Sequence, residues 1–275
     1  MAKIQRERHD IDPADGLRRD VVGQWCEEKH ERIAKYVDIT HATRSKFASN
    51  RPSYIDLYCA TGRSRIRDTE SVLDGSAVLA AVEADKRCPF AEIHIGDADL
   101  ESLTACSQRL AARSQTVVRQ YHGKSVDTAA QVVRNLNPYG FHVAFLDPYN
   151  LDSLPFSVIA TLAAVKRMDL IVHISEMDLQ RNVIGKQDME VLEAFAPGAS
   201  QGIRPGMKPF DVKLHVLNRW KALVQALGYK VSDNIERVTG LKNQPLYWLA
   251  YASKHPLGDR FWGQVSDAGP QRGLF

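Results

Sequence analysis

Two short stretches of this 275-residue chain hold residues in an order that could do chemistry: YIDLYCATG from Tyr54 to Gly62, and FLDPYN from Phe145 to Asn150. Each is an apolar run short enough to be a buried strand, and each reaches an Asp where a loop containing Gly or Pro begins. In an open α/β sheet, ligands bind outside the carboxyl ends of the strands, where the connections change direction. Asp56 and Asp147 would then face one crevice. Gly62 lets the backbone approach a ligand closely and adopt φ > 0 at little cost, which suits a nucleotide. A G-x-G-x-x-G run is absent, because Gly62 is followed by Arg63-Ser64-Arg65, so a dinucleotide is less well served. A nucleoside cofactor needs a carboxylate at the first strand end, a close-approach loop and an acid for ribose hydroxyls near the second strand end. Asp56, the loop of Cys59, Ala60 and Gly62, and Asp97 or Asp99 supply these in that order. S-adenosylmethionine is the cofactor this order implies, and methyl transfer the leading reaction. In the plainer alternative, Asp56 caps a turn and Asp97 and Asp99 open a helix, where Asp is favoured anyway.

Asp147-Pro148-Tyr149-Asn150 resembles the D-P-P-Y turn with which amino-group methyltransferases hold a planar NH2. In that turn, carboxylate and carbonyl accept hydrogen bonds from the amine and the aromatic ring stacks on the base. Here there is one Pro, and Tyr149 comes a position early. D-P-Y is also a common strand-to-helix turn, with Asn150 or Asp152 capping the next helix. Arg63, Arg65 and Arg67 form a basic ladder, and Lys124, Arg181, Lys186 and Arg204 come from other loops on the same expected rim. Convergence of these cations would attract nucleic-acid phosphates, with Arg63, Arg65, Lys124 and Arg181 touching substrate. As a rule, a charge run is a solvated face. His173, within IVHIS, reads as a satisfied sheet histidine, and Tyr247 and Trp248 as packing. Cys26, Cys59, Cys88 and Cys106 form no C-x-x-C pair, which argues against a zinc ribbon or a disulfide framework, and metal ligands do not cluster.

The elements that must position these residues follow from periodicity. Strands are expected at 54–58, 92–95, 116–121, 142–146 and 169–174, separated by helices near 77–82, 100–113, 126–136 and 156–166. Such alternation predicts a parallel sheet of right-handed βαβ units. A helix at 212–227 stops at Gly228, and strands at 229–238 and 246–252 would form a hairpin giving an antiparallel C-terminal edge. The fold class is α/β, a doubly wound, mostly parallel sheet of the methyltransferase-like Rossmann type. The expected organisation is an N-terminal helical extension over 1–50, whose first 19 residues read as a mobile lead, and a main domain over 51–255. Within that domain 176–208 forms a lid-like insertion, and 256–275 is a C-terminal tail. A 44% hydrophobic chain of this length can bury one large core. No run of about 18 apolar residues predicts a membrane span, and the polar N-terminus lacks a secretory signal, so a cytoplasmic location is expected. A net charge of +3 permits a nucleic-acid partner without demanding one.

Gly16-Leu17, VGQWCEEKHERIAKYVDI over 22–39, YIDLYCATGRSRIRD, DGSAVLAA, FLDPYN and LYWLAYASKHPLGDRFW together resemble the three-Cys-motif partner protein family along nearly the whole chain. The resemblance implies a methyltransferase-like Rossmann fold, encoded beside a protein with a three-cysteine, radical-enzyme-like motif. That neighbour would be a protein partner. The family loop A-G-P-G-R is Cys59-Ala60-Thr61-Gly62-Arg63 here. The family's G-D after the third strand, whose Asp can contact the adenine amine, is Gly123-Lys124, and Lys124 cannot accept that hydrogen bond. Ser125 or Asp127 then substitutes, or the cofactor is altered or absent. In that last case the chain is a degenerate methyltransferase fold serving as a partner or nucleic-acid-binding module.

Overall fold

A computed structural model describes residues 8–67, 69–185, 188–240 and 244–266. The alternation expected from the sequence is present. Strands β1 (His9–Ile11) and β2 (Arg18–Val22) are followed by helices α1 (Cys26–Ile39) and α2 (His41–Lys46). Then come β3 (Ser53–Asp56), β4 (Arg63–Ile66), β5 (Val72–Asp74), α3 (Ser76–Asp85), β6 (Glu92–Asp97), α4 (Leu100–Arg113), β7 (Val117–His122), α5 (Ser125–Asn135) and β8 (His142–Leu146). The second half runs α6 (Phe156–Leu162), β9 (Met168–Ser175), α7 (Glu176–Asp178), a π-helical turn (Leu179–Ile184), α8 (Met189–Phe195) and α9 (Pro209–Ala226). It ends with β10 (Lys230–Val231), β11 (Glu236–Thr239), β12 (Pro245–Ser253) and α10 (Pro256–Ser266).

The main sheet has the order β10-β12-β9-β8-β3-β6-β7, with β11 also pairing β12. From β7 to β9 neighbours are parallel, and β12 runs antiparallel to β9, β10 and β11. Connections from β3 run through β6 to β7 on one side and through β8 to β9 on the other. The crevice between β3 and β8 is therefore the switch point. Strand residues alternate between two cores with period 2. Ile55, Leu57, Ala144, Leu146, Leu170 and Val172 face α5, α6, α8 and α9. Tyr54, Val143, Phe145 and Ile171 face α1, α3, α4 and α10. The expected antiparallel C-terminal edge is present: β10 and β11 both pair β12, and β12, buried from Leu246 to Ser253, joins them to β9.

Three expectations are corrected. The N-terminal lead is not mobile over its described part: β1 and β2 pair and join β4 and β5 in a second sheet of order β1-β2-β4-β5. The sequence reading missed β4 and β5 because their alternation is carried by Arg63 and Arg65 rather than by apolar residues. Segment 256–266 is not a tail, since α10 buries Trp262 against Tyr251 (ring centroids 5.1 Å apart). Segment 176–208 is not a loose lid over its described part: Leu179, Val183, Leu192 and Phe195 are buried in the core.

Candidate active site

The loop after β3 is built on left-handed backbone. Ala60 has φ 49° and Gly62 φ 73°. A Cβ on Gly62 would lie 2.9 Å from the Cα of Cys106, so only glycine fits there. Ala60, standing where the resembled loop has glycine, adopts a glycine-like conformation at a cost of about 1 kcal/mol. Asp56 ends β3 with its carboxylate fully buried. It accepts hydrogen bonds from the Ser76 hydroxyl at the start of α3 and from the Tyr58 N–H (3.1 Å). Burial pushes its pKa up to about 7 against these two bonds. Register sets the next carboxylate: Asp56 pairs with Ile95, so Asp97 lies two residues beyond it on β6. The Ala60 N–H donates to Asp97 (3.0 Å). Burial raises Asp97 to about 6, against that hydrogen bond.

The N-terminal hairpin grips the same loop. Both the N–H and the hydroxyl of Thr61 donate to Asp20 of β2 (3.2 and 2.7 Å). Buried Arg109 of α4 donates to Asp15, the Arg18 carbonyl and the Thr61 carbonyl (2.8, 2.8 and 2.7 Å). The hydroxyls of Tyr58 and Ser125 converge on the Ser153 carbonyl (2.7 and 2.9 Å). Asp99 caps α4 by accepting from the Glu101 N–H and pairs with Arg18. Cys59 is buried against the α3/α4 side of the sheet. Thus Asp56, Ala60, Gly62 and Asp97 meet around one loop, while Asp99 and Ser125 are engaged in holding its surroundings.

Across the switch point, Asp147 forms an ion pair with Lys29 of α1, and the Nδ1 of His173 lies 3.3 Å from its other carboxylate oxygen. The β8–β9 register sets that contact: Leu146 faces Val172, so the next residues, Asp147 and His173, are side by side. Burial would raise Asp147, but Lys29 and then His173 outweigh it and hold its pKa below the usual carboxylate range. Burial would lower Lys29, and Asp147 more than offsets this, so its pKa is raised. Both partners are therefore charged. Burial, and then Lys29, depress His30 and His173 to about 4, leaving two neutral imidazoles beside the pair. The His173 ring packs on Tyr247 with centroids 4.3 Å apart. Pro148 is buried, and Tyr149 is 75% exposed with the Arg8 guanidinium 5.3 Å from its ring centroid.

Sequence reasoning passed over Lys29 and read His173 as a satisfied sheet histidine. Lys29 shares the buried face of α1 with Ile33, Tyr36 and Val37. A cation in an apolar stripe is the signal that could have flagged it. For His173, the signal lay in aligning the ends of two parallel strands.

The basic rim does not assemble as expected. Arg63 pairs with Asp12 (3.1 Å), Arg65 with Asp10 (2.7 Å), and Arg67 donates to the Val21 carbonyl (3.2 Å). The ladder therefore ties β4 to the N-terminal hairpin, because Asp10, Asp12 and Asp15 supply carboxylates on the facing strand and turn. Lys124, Arg181 and Arg204 are exposed on separate elements, and Lys186 lies outside the described residues. A groove of about 510 Å³ between the hairpin and α4, lined by Ile11, Leu17, Leu100 and Ala105 among others, contains none of the expected site residues. Among the described residues no three His, Cys, Asp or Glu are placed to hold a metal ion, and no described helix is long and apolar enough to cross a membrane.

No family model and no curated protein matches the chain. Among solved structures it is similar to protein LPL1258 from Legionella pneumophila, with TM-score 0.51 and 9% identity over 86% of this chain and 90% of that one. It is also similar to Trm1 from Pyrococcus horikoshii in complex with S-adenosyl-L-methionine, with TM-score 0.49 and 13% identity over 96% of this chain and 64% of that one. A third is M. jannaschii TYW2 in complex with AdoMet, with TM-score 0.45 and 11% identity over 92% and 88% of the two chains. The chain thus spans less than two thirds of the length of Trm1. At these identities the likeness is one of fold. Its strand order, with β12 antiparallel within an otherwise parallel core, makes this a methyltransferase-like Rossmann fold.

Proposed function

We propose that this chain is an S-adenosylmethionine-dependent methyltransferase acting on an amino group of a nucleic acid. The observation that carries the reading is the meeting of Asp56, Ala60, Gly62 and Asp97 around one left-handed loop at the carboxyl ends of adjacent central strands. These groups fit the cofactor. The half-buried Asp97 carboxylate suits a ligand carrying an ammonium, a sulfonium or ribose hydroxyls, and the Gly62 backbone allows close approach. When bound, S-adenosylmethionine supplies a methyl group activated on a sulfonium. Asp97 binds and orients the ligand, the buried Asp56 holds the loop through Ser76 and Tyr58, and Cys59, Ala60 and Gly62 shape the backbone against it. Ser125 and Asp99 hold the loop's neighbours in place.

On the acceptor side, Asp147 and Pro148 form the wall of the crevice, and the exposed Tyr149 ring is available to stack on a base. Lys124 and Arg181 are exposed cations suited to phosphate contact. The catalytic effect rests on holding donor and acceptor in line. In the same reading the chain belongs to the three-Cys-motif partner family, works in the cytoplasm, and has the three-cysteine protein as its partner. The test is incorporation of labelled methyl from S-adenosylmethionine into bulk tRNA and DNA. Wild type is expected to label one of them and D56N to lose most of that labelling; equal labelling by both proteins would remove Asp56 from the site.

One observation favours a second reading, a degenerate fold that binds a partner or nucleic acid without catalysis. The Ala60 and Thr61 N–H groups, which line the loop, already donate to Asp97 and Asp20. Salt-dependent nucleic-acid binding with no cofactor binding would support it.

A further inference from the structure

An amino nitrogen that accepts a methyl group gains a positive charge and has to release a proton. Asp147 is poorly suited to receive it, because one carboxylate oxygen is held by the Lys29 ammonium and the other lies against the His173 ring. Beside it, His173 presents two different ring nitrogens. Its Nδ1 is enclosed and lies 3.3 Å from the Asp147 oxygen that Lys29 leaves free, a charge contact without the alignment of a hydrogen bond. Its Nε2 is not enclosed and has no hydrogen-bond partner among the described residues, and the side chain keeps 13% of its surface exposed. An ionised carboxylate 3.3 Å from Nδ1 favours, through its charge, the tautomer with the proton there, which leaves the lone pair on Nε2, the ring nitrogen that is not enclosed.

We propose that His173 is the general base of this site, its Nε2 taking the proton that the methylated nitrogen gives up, with Asp147 and Lys29 as positioning residues that fix the tautomer. The proposal rests on the methyltransferase reading above and deepens it. In the step, the nitrogen–methyl bond forms as the methyl–sulfur bond breaks, and S-adenosylhomocysteine leaves uncharged. The N–H proton passes to Nε2, so the positive charge of the sulfonium ends on an imidazolium beside the Asp147 carboxylate and is then lost to solvent. The charged and titratable groups around His173 are Lys29 and His30 of α1, Asp147 after β8, and Tyr247 of β12. Asp147 thereby changes role, from a group that holds the acceptor amine to one that orients the base.

The test is 15N histidine spectroscopy of the full chain with and without S-adenosylhomocysteine, run beside calorimetry with the same ligand. The His173 signal is assigned by its loss in H173Q or, should that variant not fold, in H173N. At pH 7 the ring is expected to be neutral with its proton on Nδ1, and its Nε2 signal to shift as S-adenosylhomocysteine saturates the site. A proton on Nε2, or an Nε2 signal left unmoved by bound ligand, would overturn the proposal while leaving the cofactor reading intact. No calorimetric binding would overturn the cofactor reading and the proposal with it. Where wild type methylates bulk tRNA, H173Q is expected to lose roughly 10²-fold or more in rate at unchanged S-adenosylhomocysteine affinity, and imidazole to restore part of it to H173A. Full activity in H173Q would contradict the assignment.

Discussion

The buried Lys29 ammonium is compatible with its surroundings only while the half-buried Asp147 faces it. Removing Asp147 leaves that charge uncompensated, so D147L is expected to cost about 3–5 kcal/mol in chemical denaturation, and K29M/D147L substantially less. Equal losses in the two variants would mean that the pair is not coupled. Asp56 makes a prediction of opposite sign to the usual carboxylate. Its native pKa of about 7 lies above the ordinary value of 3.8. The native state therefore keeps a proton that the unfolded chain has released, and stability falls as pH rises through this window. The advantage of D56N over wild type should grow between about pH 4 and pH 7, by on the order of 4 kcal/mol at most. Urea denaturation at several pH values measures it, and a flat difference would show that the native pKa of Asp56 is not raised above its unfolded value. At this scale the sequence named Asp56, Asp97 and Asp147 through their strand-end positions. It did not single out Lys29 and took His173 for a satisfied sheet histidine, because their meeting with Asp147 depends on helix docking and strand register.

The loop and hairpin form the element that departs most from expectation. Ala60 is strained where glycine would not be, so A60G is expected to raise stability by about 1 kcal/mol, read as a higher Tm. No gain would mean that the left-handed conformation carries no cost there. Arg109 is the staple between hairpin, loop and α4. R109A is expected to lose about 3 kcal/mol and to speed hydrogen exchange at Arg18–Val22 and Thr61; unchanged exchange would show that the hairpin docks without it. The hairpin was illegible in the sequence because its pairing is ionic. Asp10, Asp12 and Asp15 on one side match Arg63, Arg65 and Arg109 on the other, and neither side shows an apolar period of 2. Arg63 and Arg65 read as part of a nucleic-acid rim for lack of the facing carboxylates.

Over the whole molecule, the parallel strands β3, β6, β7, β8 and β9 were legible to within a few residues. Apart from β7, an edge strand that is largely exposed, they are short apolar-rich runs between turn signals, as strands buried on both faces tend to be. The interior position of β12 was not, since a hairpin seen in sequence does not say which strand lies outermost. Function at the level of the whole fold turns on whether the switch point retains a cofactor site. Calorimetric titration with S-adenosylhomocysteine decides this, with D97N as comparison. Saturable one-to-one binding is expected, strengthening as pH rises through about 6 while Asp97 ionises, and weakened in D97N. Absence of heat with wild type across that range would rule the cofactor site out and leave the degenerate-fold reading in its place.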